Sequence, residues 1–293
     1  MAEESETPPT EGEGDIALLE TAIEAARAGG ETLERYFRSA DLRIESKGGQ
    51  DFVTEADHAS EARILEIIRQ RFPDHQVLAE ESGWQGDAGR FGWLVDPLDG
   101  TSNFLQGLPV FCVSIACLEG DTLAAAAILD PIGGNLFTAR RGAGAFWNGA
   151  PMRVSQREGL AGGFLATGYP FRARQALDLY LEVFREVFLE ARGIRRCGSA
   201  ALDLAYTAAG VYDGFFEFRL SPWDIAAGAL LVREAGGHLS DLDGGTGSLR
   251  SGNVIAGPRS LQVELLAKVR QTVDEARLEE VDPQRGPVVS GHV

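Results

Sequence analysis

The 293-residue chain carries 27 Lys plus Arg against 44 Asp plus Glu, a net charge of −17, and 44% of its residues are hydrophobic. This ordinary composition excludes wholesale disorder, and no apolar run approaches the ~18 residues of a membrane span. The acidity argues against direct nucleic-acid binding, which needs clustered positive charge opposite the phosphates.

Residues 1–14 read as a disordered acidic tail rich in Glu, Gly and Pro. With neither a basic nor an apolar region it is no secretory signal, so a cytoplasmic protein is expected. A helix is expected over 15–38, where Ile16, Leu19, Ile23, Ala26, Leu33 and Phe37 recur at helical spacing. A Gly-containing loop, Ser46 to Gln50, leads to Asp51 and a second helix over 55–71, ended by Pro73. Short strands are expected at 76–80 and 92–96, and a β-rich stretch runs from 110 to 147 between Gly, Asp and Asn turns.

The second half alternates: a helix over 175–192, a strand near 194–196, a helix over 199–209 and a strand over 213–219. A helix from Trp223 through Glu234 is closed by Gly236 and Gly237. Strands near 238–241 and 253–256 precede a last helix over 259–280, and 281–293 form a flexible tail. The expected fold is therefore α/β, a layered sandwich of α-β-α-β-α with two packed sheets. Residues 15–280 form one unit, with halves at 15–150 and 151–280.

Cysteine and histidine exclude the soft metals. Cys112, Cys117 and Cys197 lack CxxC spacing, and the four histidines form no HxH or HExxH pattern. Any metal would be held by oxygen, which points to Mg²⁺ or Mn²⁺. Cys112 and Cys117, five apart in one strand, should face opposite ways.

Four acidic clusters adjoin turns: Asp51 to Asp57, Glu80-Glu81, Asp96-Pro97-Leu98-Asp99, and Asp224 after Trp223. In the third, Pro97 stiffens the turn, so Asp96, Asp99 and the Leu98 carbonyl offer three oxygen donors within four residues. Gly100 permits close backbone approach, and Thr101-Ser102-Asn103 can begin a helix whose free N–H groups suit phosphate. Metal ligands followed at once by a phosphate cradle point to phosphoryl transfer. Taken alone, Asp99-Gly100 could be a turn and Thr101 a cap. Asp51 could likewise cap the second helix, and Glu217 could be a surface acid on an edge strand.

Trp93 to Phe104 resembles the W-x-x-D-P-x-D-G-T-x-N-F signature of the Mg²⁺-dependent inositol monophosphatases. Trp223 to Gly228, with Glu234 to Gly237, resembles the second signature, and the order holds over roughly residues 15–270. Thr167 to Phe171 and Gly198 to Asp203 look most like the bacterial SuhB-like branch. The resemblance implies that Glu80, Asp96 and the Leu98 carbonyl hold one Mg²⁺, and that Asp96, Asp99 and Asp224 hold a second. Glu80 would help retain a weaker third ion.

It further implies that Asp57 and Thr101 activate water, that the Gly100 and Thr101 amides hold phosphate, and that Asp99, Gly198, Ser199, Ala200 and Glu217 contact substrate. In one departure, the loop from Lys47 to Asp51 is about a residue shorter than in animal members. The implied function is hydrolysis of myo-inositol monophosphate without a phosphoenzyme, by a lithium-sensitive homodimer. Fructose 1,6-bisphosphate, NADP and 3′-phosphoadenosine-5′-phosphate are alternative esters. The SuhB-like branch also implies a regulatory role with a transcription-factor partner.

Overall fold

The computed structural model describes residues 11–39, 43–48 and 51–272. Helix α1 (Glu11–Tyr36) begins four residues earlier than expected. The expected loop at 46–50 is instead part of a hairpin, β1 (Ile44–Gly48) and β2 (Asp51–Thr54), paired antiparallel. Val53 and Thr54, β-branched residues, favour that strand over a loop. Thr54 then caps α2 (Glu55–Arg71), so the capping role considered for Asp51 belongs to Thr54. The side chains of Lys47 and Asp51 lie outside the described residues.

Eight strands form the larger sheet. They are β3 (Gln76–Ala79), β4 (Gly83–Gln85), β5 (Phe91–Asp99), β6 (Cys112–Glu119), β7 (Thr122–Asp130), β8 (Asn135–Arg140), β9 (Gly144–Trp147) and β10 (Ala150–Met152). From β10 to β5 the order is a simple antiparallel meander, and β5 then lies parallel to β3. Helix α3 (Thr101–Leu105) follows β5 directly. The smaller sheet has the order β12-β11-β13-β15-β14. Its strands are β11 (Phe164–Thr167), β12 (Gly193–Arg195), β13 (Gly214–Glu217), β14 (His238–Ser240) and β15 (Val254–Gly257).

Strand β11 was not anticipated: four residues between Gly163 and Gly168 are too short to show a period. Glu217, at the end of β13, lies on the central strand and not on an edge, because β11 and β15 flank it.

The remaining helices are α4 (Leu177–Glu190), α5 (Ala200–Ala208), α6 (Pro222–Glu234), the short α7 (Ser248–Ser251) and α8 (Arg259–Thr272). Helices α1 and α2 cover the outer face of the larger sheet, and α5 and α6 fill the space between the sheets. Helices α4 and α8 cover the outer face of the smaller sheet. The layers are therefore α-β-α-β-α, as the pattern of elements implied. Both faces of β6 and β7 are covered, which explains their nearly unbroken apolar sequence. Cys112 joins the inter-sheet core and Cys117 the core under α1 and α2, on opposite faces. Helices α5 and α6 approach so closely that a Cβ on Gly228 would lie 2.4 Å from Cβ of Leu204.

This packing fixes the ends that matter. The C-terminal end of β5 meets the N-termini of α2, α3, α5 and α6, each carrying one or more of the acidic or turn motifs.

Candidate active site

The site is built on an irregularity in β5. Asp96 pairs with Ser114 and Asp99 with Cys112, so three steps along β5 match two along β6. Residues three apart on a regular strand face opposite sides, and the extra residue brings both carboxylates to one side. The bulge is held from beneath, where the Ser60 hydroxyl donates to the Pro97 carbonyl at 3.0 Å. The Leu98 amide donates to Asp96 Oδ1 at 3.0 Å.

Asp224 arrives from α6. Its Oδ2 accepts the Ser221 amide at 2.8 Å, a capping box that fixes the side chain at the helix N-terminus. One carboxylate oxygen each of Asp96, Asp99 and Asp224 lies within 4.8 Å of the others. Asp96 is 1% exposed and Asp224 3%. Burial first, then the charges of Glu80, Asp99 and Asp224, push the Asp96 carboxyl well above the usual carboxylate range. Of these charges Glu80 acts most strongly, although it stands outside the 4.8 Å group. Buried carboxylates so close together repel one another unless a cation neutralises them, and an all-oxygen donor set suits a hard divalent ion. The residues present fit Mg²⁺.

Asp57 and Thr101 meet beside this cluster. Asp57 Oδ2 accepts the Thr54 amide at 2.8 Å and the Thr54 hydroxyl at 2.6 Å, which locks the α2 cap. Its Oδ1 accepts the Thr101 hydroxyl at 3.3 Å, and that hydroxyl also reaches the Leu98 carbonyl at 3.1 Å. Gly100, at φ +100°, is where only glycine fits: an added Cβ would stand 2.9 Å from the Val110 carbonyl oxygen. Asn103 Nδ2 bonds the carbonyls of Val110 and Cys197 at 2.7 and 2.9 Å, tying α3 to the start of α5.

The substrate-side residues divide. The Ser199 hydroxyl is directed to Asp99 Oδ2 at 2.6 Å, and the Ala201 amide reaches the same oxygen at 2.8 Å. Ser199 therefore positions a carboxylate. Gly198 and Ala200 flank it at the α5 N-terminus. Glu217 is half-buried, close enough to Gly168 that a Cβ there would overlap its carboxylate at 1.9 Å.

Sequence reasoning missed three participants. Cys112 Sγ lies 3.6 Å from Ser199 Oγ and 3.9 Å from Asp99 Oδ2, with burial and the Asp99 charge raising its thiol pKa. Glu61 accepts the Glu81 amide at 2.9 Å and so anchors the Glu80-Glu81 turn. Asp203, 1% exposed, has an Oδ1 without a hydrogen-bond partner among the described residues, and burial and the Glu217 charge raise its pKa. Cys112 and Glu61 sit in no motif whose spacing announces a role, and Asp203 closes the Gly198 to Asp203 stretch, whose resemblance implies no role for Asp203.

The profile of the inositol monophosphatase family matches residues 17–275. The chain belongs to that family. It is 46% identical over 259 residues to the Nus factor SuhB of Pseudomonas aeruginosa, which covers 86% of this chain and 96% of the relative. Among solved structures, the extragenic suppressor protein SuhB of Bartonella henselae superposes with a TM-score of 0.84 at 42% identity. That match covers 87% of this chain and 99% of the other. An inositol monophosphatase from Anabaena superposes with a TM-score of 0.79 at 38% identity, covering 87% and 96%. The chain places its acidic motifs at the junction of the larger sheet with the inter-sheet helices.

The raised Asp96 pKa has a definite sign. A carboxyl whose folded pKa exceeds its unfolded value stabilises the fold at low pH, and that stability is lost as pH rises through the folded value. Melting temperature in EDTA should fall as pH rises above the ordinary carboxylate range, and Mg²⁺ should reverse much of that fall. Asp203 and Asp241 share the direction but lie outside the cluster, so the Mg²⁺-reversible part reports Asp96. Superimposable profiles with and without Mg²⁺ would contradict the assignment.

Proposed function

We propose that the chain is a cytoplasmic, Mg²⁺-dependent phosphomonoesterase that hydrolyses myo-inositol monophosphate to myo-inositol and phosphate. The observation that carries this reading is the Asp96–Asp99–Asp224 cluster beside the Asp57–Thr101 hydrogen bond. Glu80, Asp96 and the Leu98 carbonyl would hold one ion, Asp96, Asp99 and Asp224 a second, and Glu80 a weaker third. Mn²⁺ would serve in place of Mg²⁺. When bound, these ions supply neutralising charge for the phosphate and lower the pKa of a water nucleophile.

The chain's own residues do the rest. Asp57 Oδ1, through the Thr101 hydroxyl, orients the attacking water and takes its proton as the new P–O bond forms. The ester P–O bond opposite breaks in line, and the leaving alkoxide takes a proton from solvent, so no enzyme side chain is phosphorylated. The Gly100 and Thr101 amides hold the phosphate oxygens, a placement that requires glycine at residue 100. Glu217 accepts hydrogen bonds from polyol hydroxyls beside Gly198 and Ala200.

A second reading rests on the relative named Nus factor SuhB: a regulatory partner of the transcription machinery. It does not require the carboxylate cluster. The apolar stripe of α4 supports a homodimer, because Leu177, Leu181 and Phe188 are 44%, 49% and 61% exposed on one helix. Replacing Leu181 and Phe188 by Glu should convert a dimer to a monomer in sedimentation velocity. An unchanged sedimentation coefficient would remove α4 from the interface.

The decisive assay is phosphate release from myo-inositol 1-phosphate, fructose 1,6-bisphosphate, NADP and 3′-phosphoadenosine-5′-phosphate, each with Mg²⁺ and with EDTA. Fast, EDTA-sensitive release from the inositol ester is expected, lowered by millimolar LiCl and by roughly 10²-fold or more in Asp57→Asn. Preference for another ester would change the substrate and keep the site. Absence of release from all four, with a transcription factor recovered on the immobilised chain, would favour the regulatory reading.

A further inference from the structure

A second cavity lies away from the acidic cluster. It encloses about 640 Å³ between one end of the larger sheet and the C-terminal half of α6, with α7 alongside. Leu94, Leu118, Leu123 and Leu239 give it an apolar interior, and Trp84, 43% exposed, stands at its side. None of Glu80, Asp96, Asp99 or Asp224 lines it. Arg233 stands nine residues along α6 from Asp224, about 14 Å at the helical rise.

The charge at this cavity is opposite in sign to that of the chain. Arg90, Arg233 and Arg250 line it, against the single acid Asp121. Arg90 is engaged by Glu119, which accepts from its Nε at 2.6 Å. No acid among the described residues pairs with Arg233 or Arg250. Arg233 reaches solvent, yet its surroundings withdraw enough water to lower its pKa, with burial the sole cause. In the wall, Ser248 is 1% exposed and its hydroxyl has no hydrogen-bond partner among the described residues. A buried hydroxyl ordinarily finds a partner, and the exposed guanidinium groups of Arg233 and Arg250 stand at the rim, open to an incoming anion.

We infer that this cavity is a binding site for a small amphipathic anion, with an apolar body against the leucines and Trp84 and a carboxylate or phosphate at Arg233 and Arg250. The volume falls in the range of small-molecule sites, and an apolar lining with a few converging polar groups is their usual chemistry. Guanidinium groups suit both acid types because their forked donors match two oxygens at once. The site is separate from the proposed catalytic one and does not depend on that reading.

The test is a fluorescence titration of the full chain with 1-anilinonaphthalene-8-sulfonate, an apolar anion that brightens in such a setting. Saturable binding of one probe per chain is expected. Arg233→Glu should weaken it by roughly tenfold or more, the scale of a charge contact worth about 1.4 kcal/mol. Thr122→Trp, at an exposed lining residue, should block the cavity and weaken binding similarly, and it decides the matter if Arg233→Glu does not fold. Val263→Glu on α8, at a residue 53% exposed and outside the cavity, should leave binding unchanged. Octanoate and phenyl phosphate are then used as competitors, and whichever displaces the probe more strongly identifies the acid group. Binding unaffected by the cavity variants, loss of binding in Val263→Glu, or displacement by neither competitor would overturn the inference.

Discussion

Mutual repulsion among buried carboxylates is the constraint around which this molecule is arranged. Asp96, Asp99 and Asp224 are brought together by a strand bulge, a helix cap and a layer of inter-sheet helices. Each carboxylate is then secured by donors at close range, the Leu98 amide, the Ser199 hydroxyl with the Ala201 amide, and the Ser221 amide. These bonds set orientation, but neutral donors do not cancel the negative charge of a carboxylate. The fold supplies the crowding, and a cation would relieve it.

The supporting structure follows from the same requirement. A bulge at the end of a strand is precise only if its neighbours cannot move, and β5 lies between β3 and β6 with helices packed on both faces. Ser60 of α2 grips the bulge at Pro97, while Asp57 of the same helix reaches Thr101. One helix thus holds both the Asp96–Asp99 turn and the Asp57–Thr101 pair. Such preorganisation is what phosphoryl transfer asks of a protein, since the chemistry is chiefly positioning and charge neutralisation.

Much of this was legible in the sequence, for local reasons. Asp96-Pro97-Leu98-Asp99-Gly100-Thr101 compresses ligands, turn and helix start into six residues, so its chemistry can be read without the fold. The layering was legible because covered strands lose their alternation and helices keep theirs. Asp224 could be joined to the cluster only through resemblance, since nothing local carries a residue across 125 positions. The roles of Ser199 and Cys112 were hidden for the same reason: each acts by touching Asp99 across the inter-sheet space. The hairpin at 44–54 and strand β11 were too short for a period to show. The central place of Glu217 depends on strand order, which no single strand records.

The central claim is that the carboxylate cluster is a cation site, and it can be tested without any substrate. Metal-free protein would be titrated with Mn²⁺ and the free ion followed by electron paramagnetic resonance, for the native chain and for Asp224→Asn. The account predicts that the native chain retains at least two ions and that the variant loses one or binds it roughly tenfold or more weakly. Free Mn²⁺ tracking the total from the first addition, or identical isotherms for the two proteins, would contradict it.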